Sequence, residues 1–273
     1  MIRSASRRVA GALVLAAGLA VGAARLCAQA QTQPQTPPEP LSALATANLS
    51  KSRPAAPFNL TGNWFIDNSP GIQGWLFGPA TIPKLKPDAQ KHRDAYVQAG
   101  KEGKVYRDDI GACWPAGVPI IMTRVWPIAM IQMPTAIYMI SEFMNSMRVV
   151  YLDGRTHTDA DIVVRTFNGE SVGHWEGDTL VVETKNFIND PHHWVDQGVP
   201  ASDELRIIER IRMINDGKTL EIAMTLTDPK NWEGEWKGVR RWNRVDDHDI
   251  GEVECLPDLN EHLQSTSSKV HVR

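Results

Sequence analysis

The chain has 273 residues, with 32 Asp and Glu against 29 Lys and Arg, a formal charge of −3 at pH 7. The two signs are mixed along the sequence, which excludes the basic face that a nucleic-acid surface requires. Beyond the first thirty residues no segment is long and apolar enough to span a bilayer, so stable membrane insertion of the mature chain is not expected.

Arg3, Arg7 and Arg8 open the chain, and an uncharged run rich in Ala, Leu, Val and Gly extends from Val9 to Ala24. Ala28-Gln29-Ala30 then supplies the small-x-small pattern of a signal-peptidase site. A membrane span takes roughly 20 strongly apolar residues; this run is shorter and rich in Gly and Ala. Residues 1–30 therefore read as a cleaved signal for the periplasm or cell exterior. Ser6-Arg7-Arg8 resembles a twin-arginine start, but Val9-Ala10-Gly11 replaces the bulky apolar residues usual after the pair. Ala24-Arg25-Leu26 before Cys27 is a poor lipoprotein box. Residues 31–57, dense in Gln, Pro, Thr, Ser and Ala, bury too little apolar surface to offset ordering entropy and read as a flexible tether.

Residues 58–273 are expected to form one antiparallel β domain. Phe58 to Ile66 opens it. One helix follows near 87–99, started by Pro87 with an acidic first turn and stopped by Gly100. Val118 to Thr123, Ala136 to Phe143 and Met147 to Leu152 are β-branched, aromatic and Met-rich runs of strand length. Glu170 to Trp175 and Thr179 to Thr184 flank the turn Glu176-Gly177-Asp178. Leu205 to Ile214 and Leu220 to Thr227 flank Asn215-Asp216-Gly217-Lys218, whose residues tolerate positive φ. A strand through Trp236 to Val245 and a short one ending near Cys255 complete the series. Successive strands joined by hairpins predict an all-β fold, a lipocalin-like up-and-down barrel or a sandwich.

Alternation sorts the faces. Leu205, Ile207, Glu209, Ile211 and Met213 share one side, with Arg206, Arg210 and Arg212 on the other, and Leu220, Ile222, Met224 and Leu226 face inward from the next strand. Glu209 thus stands on an apolar face, where a lone carboxylate would cost several kcal/mol unless paired, hydrogen-bonded or protonated. Cys113 and Cys255 are the only thiols after the signal. An exported chain favours their pairing as a disulfide over a catalytic role, for which neither has a nucleophile signature.

Gly62-Asn63-Trp64 resembles the Gly-x-Trp opening of lipocalin-like barrels, and that resemblance implies a late-strand Arg packed on the Trp, with Arg240, Arg241 or Arg244 available. A broader set of stretches resembles a large group of uncharacterised secreted bacterial proteins. They are Cys113 to Pro119, Val150-Tyr151-Leu152-Asp153-Gly154-Arg155-Thr156-His157, Gly173 to Val182, Ile208-Glu209-Arg210 and Thr227-Asp228-Pro229. This second resemblance implies one continuous domain and no particular activity.

Asp153-Gly154 is a favoured turn pair, yet a turn needs neither Arg155, a fixed cation, nor His157, a group that moves protons near neutral pH. His192 and His193 are adjacent on irregular chain and so point apart, which disfavours a metal pair. His174 lies on a strand beside Trp175. Gly169 to Gly173 matches Gly-x-Ser-x-Gly, but precedes a hairpin rather than the strand-turn-helix that a nucleophile elbow needs. Met130, Met133, Met139, Met144 and Met147 crowd one region with Tyr138, Phe143 and Tyr151, as core or as the wall of a pocket. The combined expectation is a barrel that encloses a small hydrophobic molecule and acts on it by lyase- or isomerase-type acid–base chemistry, with no organic cofactor and no metal. Glu209 is the expected acid or base and His157 or His174 its proton partner. Arg155, Asp153, Tyr138 and Tyr151 are the expected substrate-binding groups. The alternatives are a non-catalytic carrier of the same ligand, with Glu209 salt-bridged, and a structural envelope protein with a filled core.

Overall fold

A computed structural model describes residues 40–67, 82–107 and 109–256. The expected signal at 1–30 and the first part of the tether, 31–39, lie outside the described residues. Among the described residues two α-helices, α1 (Thr46–Leu49) and α2 (Pro87–Lys101), accompany eleven strands. In chain order these are β1 (Gly62–Ile66), β2 (Ile128–Gln132), β3 (Ala136–Ser141), β4 (Met147–Tyr151), β5 (Glu170–Glu176), β6 (Thr179–Lys185), β7 (Trp194–Asp196), β8 (Val199–Pro200), β9 (Arg206–Ile214), β10 (Thr219–Thr227) and β11 (Trp236–Val245).

Nine strands close a barrel in the order β1-β11-β10-β9-β6-β5-β4-β3-β2, and β7 and β8 form a separate ribbon. The fold is therefore all-β, and it is a barrel rather than a sandwich. Alternation is what closes it: Ile207, Glu209 and Ile211 on β9 and Leu220, Ile222, Met224 and Leu226 on β10 are all buried. The β9–β10 turn needs its residues, since Asn215, Asp216 and Gly217 all have positive φ, from 53° to 83°. A Cβ on Gly62 would collide with the Arg244 guanidinium. Arg244 lies 4.3 Å over the fully buried Trp64 ring and donates 2.8 Å to the Thr61 carbonyl. Of the three late-strand arginines, Arg244 is thus the one on the tryptophan.

The barrel departs from a simple up-and-down order in two places. β4 and β5 run parallel, with only Val150↔Ser171 and Tyr151↔Val172 in register. The long connection over 152–169 replaces a hairpin, and parallel pairs need such a crossover. β6 pairs with β9, not with the next strand in sequence, because 186–205 leaves the wall to make the β7–β8 ribbon.

Three expectations are corrected. Val118 to Thr123 is not a strand; Ile120–Met122 is a 3-10 turn buried on every side, and a short apolar run cannot be told from a buried helical turn by periodicity. The strand beside β1 is instead β2. No strand forms near Cys255 among the described residues, where 246–256 is irregular. Part of the tether, from Leu41 to Asn48, is docked on the barrel: Ala43 and Asn48 are buried, and the Thr135 hydroxyl donates 2.7 Å to the Ala43 carbonyl. The bridge expected between Cys113 and Cys255 is present, with Cα atoms 5.6 Å apart and a sequence separation of 142 positions.

Glu209 is paired. Its carboxylate, fully buried, receives both terminal nitrogens of Arg148 from β4, one at 3.1 Å. Arg148 Nε donates to Ser171 Oγ at 3.1 Å and Nη2 to Thr184 Oγ1 at 2.9 Å, and the two hydroxyls bond to each other at 2.9 Å. Removing one member of such a pair strands the other. Glu209→Gln should therefore lower stability by about 3–5 kcal/mol, whereas replacing both partners by apolar residues (Arg148→Met with Glu209→Leu) should recover most of that loss. Chemical denaturation of the three proteins checks this; an unperturbed single variant would contradict the pairing.

Candidate functional site

The residues expected to converge on one cavity do not. Glu209 points into the barrel with Ser171 and Thr184. His157 lies on the outer side of the same wall, its Nδ1 3.0 Å from Glu170 Oε2 and its Nε2 3.6 Å from Glu183 Oε2. Glu170 also accepts from the Thr158 N–H and hydroxyl and from Asn186. Those bonds outweigh burial and hold its carboxyl below the ordinary range. The His174 side chain is 65% exposed, beside Glu176, because Ser171 and Gly173 take the inward positions of β5. Wall backbone thus separates both histidines from Glu209.

Asp153, Arg155 and Tyr151 do come together, on the barrel's outside. Arg155 donates to Asp153 at 2.8 and 2.6 Å and lies 3.9 Å over the Tyr151 ring. Tyr138 is close enough for Tyr151 and Arg155 to act on it, although burial is the main cause that raises its phenol. The group clasps the N-terminal segment: Asn48 donates 2.8 Å to Asp153, and Arg155 donates 2.8 Å to the Leu41 carbonyl. Burial alone would raise the Asp153 carboxyl, but these donors bring it down to about 2.

A cleft of about 280 Å³ lies outside the barrel, between α2, the 105–126 segment and the β7–β8 ribbon. Apolar groups from Ile110, Pro115, Ala116, Ile120 and Trp126 line one part of it, and Tyr96, Tyr106, Arg107, Asp109, Arg124, His192, Trp194 and Asp196 supply the polar part. The ribbon reaches α2 because Gly198, at φ 69°, has no side chain; a Cβ there would stand 2.6 Å from Tyr96 Cβ. Gly117, at φ 65°, is as tight, since its Cβ would meet the Phe167 carbonyl at 2.5 Å and His193 Nε2 at 3.1 Å.

His192 is held from two directions by one short turn. The Trp114 N–H donates 2.9 Å to the Asp109 carbonyl and the Cys113 N–H 3.0 Å to that of Ile110, which closes 109–114. Asp109 Oδ1 then sits 2.9 Å from His192 Nδ1, and the Trp114 indole stacks on the imidazole at 3.7 Å and 4°. Asp109 Oδ2 accepts from Trp194 Nε1 at 2.6 Å. Arg107 Nη2 is 3.2 Å from His192 Nδ1 and 3.3 Å from Asp109 Oδ1. The shorter carboxylate contact places the proton on Nδ1, and the guanidinium then donates to the carboxylate as the stronger acceptor. Nε2 is left with a lone pair and no hydrogen bond among the described residues. His193 turns the opposite way, with Nε2 3.0 Å from the Val118 carbonyl, and burial lowers its pKa and keeps it neutral. The two histidines therefore share no ligand position.

Burial shifts several of the other polar groups that line the cleft. Burial raises the Tyr96 and Tyr106 phenols, which remain donors. Burial lowers Arg124 to about 10, against the attraction of Asp196, and the guanidinium remains charged. Burial also raises the Asp196 carboxyl, opposed by the Gln197 N–H and by Arg124. An oriented imidazole with a free Nε2, beside apolar walls and a charged guanidinium, can accept a proton and stabilise the anion left behind.

Sequence reasoning named His192 only as half of an unfavourable metal pair, and passed over Arg107, Asp109 and Trp194. Asp109 is on irregular chain with no periodicity, and its relation to His192 exists only in three dimensions. No protein-family model matches the chain, and no curated protein is significantly similar to it.

Asp153→Asn should loosen the clasp and speed tryptic cleavage after Lys51 several-fold. A carboxyl depressed in the folded state contributes stability above its unfolded value, about 3.9. The melting-temperature gap between wild type and variant should therefore be full at about pH 5 and close as the pH falls towards 2. An unchanged proteolytic pattern would show that the segment is held by other contacts.

Proposed function

We propose that the protein binds a small, planar, mainly apolar molecule in the outer cleft and moves a proton on it. His192 Nε2 is the base and Asp109 the group that holds its imidazole. The observation that carries this reading is the Asp109–His192–Trp114 arrangement: one acceptor fixes the tautomer, one stacked ring fixes the plane, and Nε2 is left free. Arg124, which lines the same cleft, is the cation that would offset the developing negative charge. The reaction is of the lyase or isomerase kind, with no covalent nucleophile and no need of an organic cofactor. We further propose that the chain is exported to an oxidising compartment, which the Cys113–Cys255 bridge supports. Among the described residues no helix is long and apolar enough to cross a membrane.

The mainly apolar wall favours a second reading, a carrier that binds without turnover. The two separate on a generic probe of proton abstraction in an apolar site, the base-promoted ring opening of nitrobenzisoxazole. The wild type should exceed free imidazole at equal concentration and saturate with probe. His192→Gln should lose about 10²–10⁴-fold of the rate, and Val105→Trp at the rim should raise KM by blocking access. Saturable binding with a rate equal in wild type and His192→Gln would establish the carrier and end the enzyme reading.

A further inference from the structure

The Cys113–Cys255 bridge joins two segments that are not part of the barrel wall. Cys113 sits at the tip of the 109–114 turn, one residue from Trp114 and four from Asp109, the two residues that hold His192. Its backbone is left-handed, φ 64°, as is that of Arg107 at φ 50°, a conformation that non-glycine residues keep only under constraint from their surroundings. Cys255 lies near the end of the irregular run 246–256. That run is fastened to the barrel by Asn145, which donates 2.8 Å to the Gly251 carbonyl and accepts 2.9 Å from the Val253 N–H. His248 is fastened too, its carbonyl 2.6 Å from Asn63 Nδ2 and its Nε2 3.0 Å from Glu142. The barrel's own closure runs through β1, β2 and β11 and does not pass through either cysteine.

We infer that the bridge is a redox-sensitive brace for the cleft: it holds the 109–114 turn against His192, so the site is assembled when Cys113 and Cys255 are oxidised and dispersed when they are reduced. The step is thiol–disulfide exchange with a dithiol reductant. The Sγ–Sγ bond breaks, the two electrons and two protons of the dithiol end on Cys113 and Cys255 as thiols, and the reductant leaves as its own disulfide. Both cysteines are half-buried, Cys255 between exposed Glu254 and Leu256 and Cys113 beside exposed Trp114, within reach of such a reagent. Freed from Cys255, the turn loses the constraint that offsets its left-handed Cys113. Asp109 then leaves Nδ1, and Trp114 leaves the imidazole face.

The inference rests on the cleft being the site, but its test does not. Stacked on Trp114, the carbon-bound protons of His192 lie in the indole ring current and should resonate upfield of the other histidines in proton NMR of the oxidised protein. Treatment with a dithiol well below the melting temperature should move them to ordinary histidine positions, and Trp114→Leu in the oxidised protein should do the same. The far-UV circular dichroism of the barrel should be kept in both. Naphthoate, a planar aromatic anion, should bind the oxidised protein and lose at least tenfold in affinity on reduction, with recovery on reoxidation. His192 resonances unmoved by reduction would overturn the inference. Loss of the β spectrum on reduction would overturn it equally, because the bridge would then hold the fold rather than the cleft. Failure of naphthoate to bind the oxidised protein would count against the proposed function alone, leaving the resonance shift to decide the brace.

Discussion

A guanidinium and a carboxylate in the middle of a barrel impose conditions on everything around them. Arg148 and Glu209 are both buried beyond the reach of solvent, so each donor and acceptor must find a partner inside the wall or cost stability. The partners come from four neighbouring strands: Arg148 from β4, Ser171 from β5, Thr184 from β6 and Glu209 from β9. Those strands meet at the two irregular joins, the short parallel contact of β4 with β5 and the non-sequential contact of β6 with β9. Backbone pairing is weakest at the first, with two residue pairs in register. The polar network therefore bonds side chain to side chain across the joins that hairpin turns do not enforce.

Such a network, packed among Met130, Met139, Val150, Val182 and Ile207, occupies the space where a ligand was expected. A carboxylate with both oxygens bonded to a buried guanidinium is poorly placed for acid–base work on a ligand. Chain that leaves the barrel is free of this constraint. The 105–126 segment and the β7–β8 ribbon form no part of the wall, and α2 seals them from one side. Their close packing depends on glycine, at Gly198 against Tyr96 and at Gly117 against Phe167 and His193. The cleft is thus an addition to the barrel, rigid where glycines let backbones meet and dependent on side chains elsewhere.

Period-two alternation made β9 and β10 legible almost to the residue, and it placed Glu209 inward. It could not say what Glu209 meets, because Arg148 is 61 positions away in sequence and stands on a strand, Met147–Tyr151, whose apolar majority hides it. β2 was missed because Ile128–Gln132 is short and follows Pro127 with no turn signal of its own. The stretch Asp153 to His157 was read as a turn with chemistry to spare, and the surplus has a structural use. Arg155 and Asp153 clasp the segment from Leu41 to Asn48, while His157 bonds to Glu170. Conversely, Cys113 to Pro119 was noted as a motif without a purpose, and it forms a wall of the cleft.

The contrast between the two buried acid–cation arrangements bears on which one does chemistry. Around Glu209 all three nitrogens of Arg148 donate, in a place that solvent does not enter. Around His192 the bonds are asymmetric: Nδ1 is bound to Asp109, one face is covered by Trp114, and Nε2 has no partner among the described residues. A fold gains nothing in stability from orienting an imidazole so closely and leaving one nitrogen unbonded at the edge of a cleft. It gains even less when the turn responsible carries a left-handed Cys113 and follows a left-handed Arg107. Local strain retained beside an unsatisfied, solvent-reachable acceptor is the combination expected where structure gives way to function. The barrel supplies the rigidity that makes such an arrangement sustainable, and its own polar centre is spent on keeping the wall closed.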